Sequence, residues 1–352
     1  MKLIQRFSFL SSCKIPSLCA LGAVLLALML AVLVAGNALA QTPIIIKFSH
    51  VVANDTPKGK AALRFKELAE KATKGRVRVE IYPNSTLYKD KEELEALQLG
   101  AVQMLAPSLA KFAPLGVKEF EVFDLPYIFP NLAVVYRVTQ GPIGKKLFSK
   151  LESKGITGLA YWDNGFKVMS ANRPLHMPGD FKGLKMRIQS SKVLDVQMRA
   201  LGANPQVLGF SEVYQALQTG VVDGTENPPS NLYTQKMYEV QKDITLSNHG
   251  YLGYAVIVNK KFWDGLPWDI RSALTQAMEQ ATQYANKIAQ QENDAALAAI
   301  EKTGKTTIYR LTDKETAAWR AALLPVRTQM EGRIGKDLID AVNRESAALG
   351  YK

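Results

Sequence analysis

Residues 267–302 carry the strongest constraint in the sequence. From Pro267 to Lys302 the chain runs thirty-six residues with no glycine and no further proline, and the next glycine is Gly304. Ile270, Leu274, Met278, Ala281, Ala285, Ile288, Ala289, Leu297 and Ile300 recur along it at helical spacing. One helix of that length measures about 54 Å. That exceeds the width of one small domain, so the helix must lean on two bodies, or else kink at a point the pattern does not mark. The 352-residue length agrees, since roughly 150 residues per domain gives about two domains. A second helical stretch is predicted from Lys314 to about Ile339, with Pro325 as the point where it would bend.

The first forty residues read as an export leader. Lys2, Arg6 and Lys14 form a positive start, Leu18 to Val34 is apolar, and Ala38-Leu39-Ala40 fits a small-x-small cleavage site. Cleavage near Ala40/Gln41 leaves a mature chain from residue 41. The alternative is an uncleaved anchor, because the apolar run is long for a leader. Leu10-Ser11-Ser12-Cys13 has lipobox-like letters but precedes the apolar run, where no lipidation signal would be read. Both cysteines, Cys13 and Cys19, fall in the leader, so the mature chain is free of thiols. Its charge becomes +9, from 41 basic and 32 acidic residues. No later apolar run approaches the ~18 residues needed to cross a bilayer. The expectation is a soluble periplasmic protein that does not span the membrane after cleavage.

The mature chain alternates strands and helices, which implies an α/β fold with a mostly parallel sheet. Ile44 to Ser49 is a β-branched opening strand; Thr56-Pro57 caps a helix that Gly75 ends; Val77 to Tyr82 alternates as a second strand. Ala96-Leu97-Gln98-Leu99-Gly100-Ala101-Val102 is echoed by Ala216-Leu217-Gln218-Thr219-Gly220-Val221-Val222. Each reads as a helix end, a left-handed glycine cap and a strand. The segments that leave those strands are Ala106-Pro107-Ser108 and Glu226-Asn227-Pro228. Ligands of open α/β sheets sit beyond the carboxyl ends of strands, so two such ends suggest a site between two similar lobes. The competing explanation is coincidence, since glycine after a helix is common.

The chemistry is notable for what it excludes. There is no G-x-G-x-x-G, P-loop, G-x-S-x-G or H-E-x-x-H sequence. His50, His176 and His249 lack ligand spacing, so no metal and no cofactor are expected. Lys and Arg are mixed with acids rather than clustered with aromatics, which argues against a nucleic-acid partner. Apolar residues at 47% exclude a disordered chain. The stretch from Tyr161 to Arg187 stands out. Tyr161-Trp162-Asp163-Asn164-Gly165-Phe166-Lys167 is aromatic-rich with a turn signal at Asn-Gly, and Lys185-Met186-Arg187-Ile188 reads as a strand. Arg187 there could clamp a carboxylate with its planar fork. By pattern alone, a solvated edge-strand Arg is the more economical reading.

These stretches resemble the solute-binding subunits of TRAP (tripartite ATP-independent periplasmic) transporters, in particular the C4-dicarboxylate-binding branch. The resemblance rests on Phe48-Ser49-His50-Val51-Val52-Ala53 with Thr56-Pro57-Lys58-Gly59, Phe123-Asp124-Leu125-Pro126-Tyr127, Trp162 to Lys167, Gly183 to Arg187 and Gly202-Ala203-Asn204-Pro205. Its longest run extends from Phe210-Ser211-Glu212-Val213-Tyr214 to Val222-Asp223-Gly224-Thr225-Glu226-Asn227-Pro228. It covers nearly all of the mature chain.

The resemblance implies a two-lobe, periplasmic-binding-protein-like α/β fold with hinge strands and a long helix spanning both lobes. The expected division is residues 41–164 plus 253–292 for one lobe and 165–252 plus 293–352 for the other. It implies no catalysis; an enzyme acting on a small acid is the remote alternative. The implied role is capture of succinate, malate or fumarate and delivery to TRAP membrane permease subunits. A monocarboxylic 2-oxo acid is the alternative ligand. Arg187 takes the ligand carboxylate, Asn227 supports it, and Phe210 packs on the carbon chain. Lys167 reaches a carboxylate or hydroxyl. His50, Lys58 and Ser108 face the ligand from the opposite lobe, where a backbone-bonded His, a surface Lys and a turn Ser are the alternatives. Trp162, Ser190 and Glu226 stand behind them.

Overall fold

The computed structural model describes residues 42–351, and the leader and its cleavage point lie outside the described residues. The opening follows the sequence pattern closely. β1 (Ile44–Ser49) lies parallel to β2 (Val77–Tyr82), and between them the helix Pro57–Ala72 begins with the Thr56 side chain accepting from the Gly59 N–H at 3.1 Å. The remaining strands are β3 (Met104–Leu105), β4 (Ile156–Ala171), β5 (Lys185–Ile188), β6 (Asn204–Val207), β7 (Gly224–Asn227), β8 (Asp243–Asn259) and β9 (Thr307–Arg310). They form one sheet ordered β2-β1-β3-β8-β4-β7-β5-β6, with β9 against β8. The short outer pairs are parallel, but the long central pair β4–β8 is antiparallel, so the sheet is mixed rather than mostly parallel.

That central pair organises the molecule into two lobes. Ile156 faces Asn259 at one end and Ala171 faces Asp243 at the other. β3 joins β8 at Ile257 and brings β1 and β2 with it. At the opposite end β7 joins β4 over Val168–Ala171, followed by β5 and β6, while β9 joins β8 over Asp243–Leu246. Between the two ends the register slips at Asp163/Gly165 and again at Lys167/Met169. The Asn164-Gly165 dipeptide is therefore a bulge inside one strand, not the turn its letters suggest. Gly165 has φ +126°, which only glycine adopts without strain.

The long helix is real and unbroken, Trp268–Thr303. Its first half buries Ile270, Leu274, Met278, Ala281 and Ala285 against β1, the first helix and Trp162. Near its end Ile300 enters a different core with Val213, Leu217, Leu232 and Met237. One helix thus ties both lobes. The C-terminal stretch differs from expectation. The helix Asp313–Ile334 carries Pro325 inside it and stops at Gly335 (φ +102°), after which a separate helix, Lys336–Ala348, begins. Among the described residues no helix is long and apolar enough to cross a membrane.

Candidate functional site

The two echoed segments do what their pattern predicts. Gly100 and Gly220 both sit at left-handed φ (+78° and +71°), and each leads to a strand, β3 and β7. Their exits face one another across a cleft. Asp90, Ser108 and Lys111 come from the β2/β3 side. Arg187 and Asn227 lie in β5 and β7, Gln189 follows β5, and Leu208 and Phe210 follow β6. A space of about 320 Å³ lies against Arg187, Ser190, Leu208 and Gly209. Asp90, Lys111 and Gln189 also line a smaller cavity that reaches Ser108, Phe210, Asn227, Asn231 and Tyr254.

Arg187 is a buried cation of this cleft, 2% exposed. Its Nε and Nη2 donate to the Leu208 carbonyl at 3.0 and 2.8 Å, which fixes the guanidinium plane and uses two of its donors. The Phe210 ring lies 5.9 Å from it. Burial lowers its pKa to about 10, against the pull of Glu226 and Glu212, so it stays charged at neutral pH. Asn227 Oδ1 accepts from Asn231 Nδ2 at 3.2 Å, and the side-chain oxygen Oδ1 of Asn231 has no partner among the described residues. The Ser108 hydroxyl accepts from Gln189 Nε2 at 2.7 Å, a bond from one lobe to the other. Ser190 is exposed at the mouth.

Other expected residues lie farther back. Lys167 is buried with its ammonium 2.6 Å from Glu226, which also meets His249 Nε2 at 2.7 Å. Burial works to raise the Glu226 carboxyl, but Lys167 and His249 hold it down at about 2. The Lys167 charge is thus already answered by an internal carboxylate. Lys58 is buried, donates to the Ala106 carbonyl at 2.9 Å and sits 3.8 Å over the Tyr254 ring, one ring removed from the cavity. Burial lowers it to about 7, with Glu93 acting the other way. His50 is fully buried beside Phe48; burial and then the charge on Lys58 lower it to about 3. Trp162 lies in the core instead, 6.0 Å from Phe48 and donating to Thr282 Oγ1 at 2.9 Å, so it supports the long helix rather than the cleft.

Sequence reasoning missed Asp90, Lys111 and Gln189. No pattern marks them, because Asp90 and Gln189 sit in irregular segments and Lys111 in a single short 3-10 turn, Leu109–Phe112, whose directions only the fold decides. Gln189 immediately follows the Arg187 strand, which was the one available cue.

A two-lobe body with a buried cation, an amide pair and an aromatic ring at the cleft between its lobes has the build of a receptor for a small anion. Residues 48–333 match the family described as bacterial extracellular solute-binding protein, family 7, and the chain belongs to it. It is 67% identical to the C4-dicarboxylate-binding periplasmic protein DctP of Rhodobacter capsulatus, over 93% of this chain and 98% of that protein. Among solved structures it is similar to a TRAP periplasmic solute-binding protein of Sulfurospirillum deleyianum with bound succinate (48% identity, TM-score 0.83, 85% of this chain and 98% of that one). A counterpart from Pseudomonas aeruginosa with bound L-malate is 46% identical (TM-score 0.80, 82% of this chain and 100% of that one). This family membership makes the chain a solute-binding receptor rather than an enzyme.

Proposed function

We propose that this protein captures a C4-dicarboxylate outside the cytoplasm and hands it to the membrane permease of a TRAP transporter. The observation that carries this reading is Arg187, a charged guanidinium at 2% exposure, pinned in plane by Leu208 and lining the interlobe cleft. A buried cation of this kind favours an anionic partner, because an unpaired charge there is costly. Succinate and L-malate bound to similar solved proteins, and the name of the Rhodobacter relative, support four-carbon diacids as the class.

In this reading Arg187 holds one carboxylate, Asn227 orients it, and Phe210 covers the carbon chain. In the same reading the lobes divide at residues 164/165, 252/253 and 292/293, and the slip in the β4–β8 register beside the first two supports this. The leader is removed near Ala40/Gln41, which an intact mass of the exported protein checks.

Thermal-shift measurements with succinate, malate and fumarate against butyrate and pyruvate test the ligand class. Stabilisation by the diacids at concentrations where the mono-acids do nothing is expected. An equal response to pyruvate would replace the dicarboxylate by a monocarboxylic acid. Co-purification with permease subunits from a membrane extract tests the partner.

A further inference from the structure

The smaller cavity has two charged side chains on its wall, Asp90 and Lys111. Both are largely buried, with side-chain exposures of 11% and 9%. The Asp90 carboxylate uses both oxygens. One meets Lys111 Nζ and the other accepts the backbone N–H of Phe210 from the opposite lobe. A carboxylate bridging a buried ammonium and a backbone N–H at the floor of an anion site occupies the kind of position that a ligand carboxylate would want. Lys111 also contacts Glu93 at 2.6 Å. Burial raises Glu93 to about 8, with Lys58 opposing, so near pH 7 Glu93 is mostly protonated. Burial first, then the like charges of Lys58 and Arg187, push the Lys111 pKa down, so this ammonium needs an anion beside it.

We propose that Lys111 is the second cation of the ligand site and that Asp90 competes with the ligand's far carboxylate for it, so that this pair sets how strongly diacids are preferred over mono-acids. The inference rests on the dicarboxylate reading above. A mono-acid leaves Lys111 on Asp90, and no charge goes unpaired. A diacid can replace Asp90 at Lys111 and gains only the difference. The internal carboxylate thus moderates discrimination that the two cations would otherwise make severe. It also keeps Lys111 paired when the cleft opens.

Titration calorimetry with succinate and butyrate, which differ by one carboxylate, reads the effect as a ratio of affinities. The ratio cancels changes in lobe closure common to both acids. Asp90→Asn is expected to raise the succinate-to-butyrate ratio about tenfold and Lys111→Gln to lower it by at least as much. A ratio unchanged in both variants, with succinate still bound, overturns the inference and leaves the receptor reading standing. A wild-type protein that binds no diacid overturns both. If either variant fails to fold, a crystal structure of the wild-type protein with succinate decides. Lys111 Nζ on the ligand carboxylate supports the proposal, and Lys111 still on Asp90 and away from the ligand refutes it.

Discussion

Arg187 shows how setting decides what one residue type can do. On a solvated strand it would be unremarkable. Here β5 lies inside the sheet between β6 and β7, and the Leu208 carbonyl holds the guanidinium so that its remaining donors stay with the cleft. Arg187→Ala is expected to weaken succinate binding by at least about a hundredfold, the scale of losing a buried charged pair. Arg187→Lys should lose most of that too, because an ammonium cannot span two oxygens in one plane. Calorimetry showing less than a fivefold loss for the Ala variant would remove Arg187 from the site. His50 gives a prediction about pH. Its folded pKa, about 3, lies below the ordinary histidine value of about 6.5. Between those values the unfolded chain binds a proton that the folded chain refuses, so stability falls as pH drops. The buried carboxyls of Asp163 and Asp124, raised by burial to about 6 and about 7, act in the opposite direction. Comparing variants separates them. From pH 6.5 to 4.5 the melting temperature of wild type should fall relative to that of His50→Gln, and a constant gap would contradict the assignment.

Among the elements, the bulge in β4 is where sequence and structure diverge most usefully. Asn164-Gly165 carries a turn signal, yet β8 pairs with β4 on both sides of it and the chain continues as a strand. Turn propensity is a local preference, and seventeen residues of β8 (Asp243–Asn259) outweigh it. The long helix was legible because its period runs uninterrupted over many turns. The break at Gly335 was missed because Pro325 looked like the weaker point. In fact Gly335, at φ +102°, ends the helix, while Pro325 is carried within it. That Arg187, Asn227, Phe210 and Ser108 line the cleft was readable through motif resemblance, but the side-chain directions of Lys167 and Trp162 were not. Strand alternation says which face a residue takes, not which neighbour answers its charge. The bulge also meets the long helix. Asn293 accepts the Ser230 N–H at 2.9 Å and donates to the Asn164 carbonyl, and a Cβ on Gly165 would fall 2.6 Å from Asn293 Nδ2. Gly165→Ala should therefore cost about 1–3 kcal/mol of stability, from positive φ and from the clash together. In a urea double-mutant cycle with Asn293→Ala, part of that cost should disappear. Strict additivity would mean that the helix does not feel the bulge.

At the scale of the whole molecule, the proposed function has the lobes part for ligand release about β4, β8 and the long helix, since these run through both. Direct bonds across the cleft oppose that motion. One joins the Phe210 N–H to Asp90, and another is the neutral 2.7 Å hydrogen bond from Gln189 Nε2 to Ser108 Oγ. It joins the β5 side to the β3 side without a charge and without touching the cations of the site. Breaking it should leave encounter between ligand and open cleft unaffected, because diffusion and the electrostatic pull of Arg187 and Lys111 govern that step. It should instead lower the barrier to reopening. A neutral hydrogen bond contributes about 0.5–1.5 kcal/mol, so Gln189→Ala is expected to speed succinate dissociation roughly threefold to tenfold at nearly constant association rate. Stopped-flow fluorescence read from the tryptophans gives both rates. A slowed association with unchanged dissociation would mean that Gln189 acts on the ligand before closure, and that the latch lies elsewhere along the cleft.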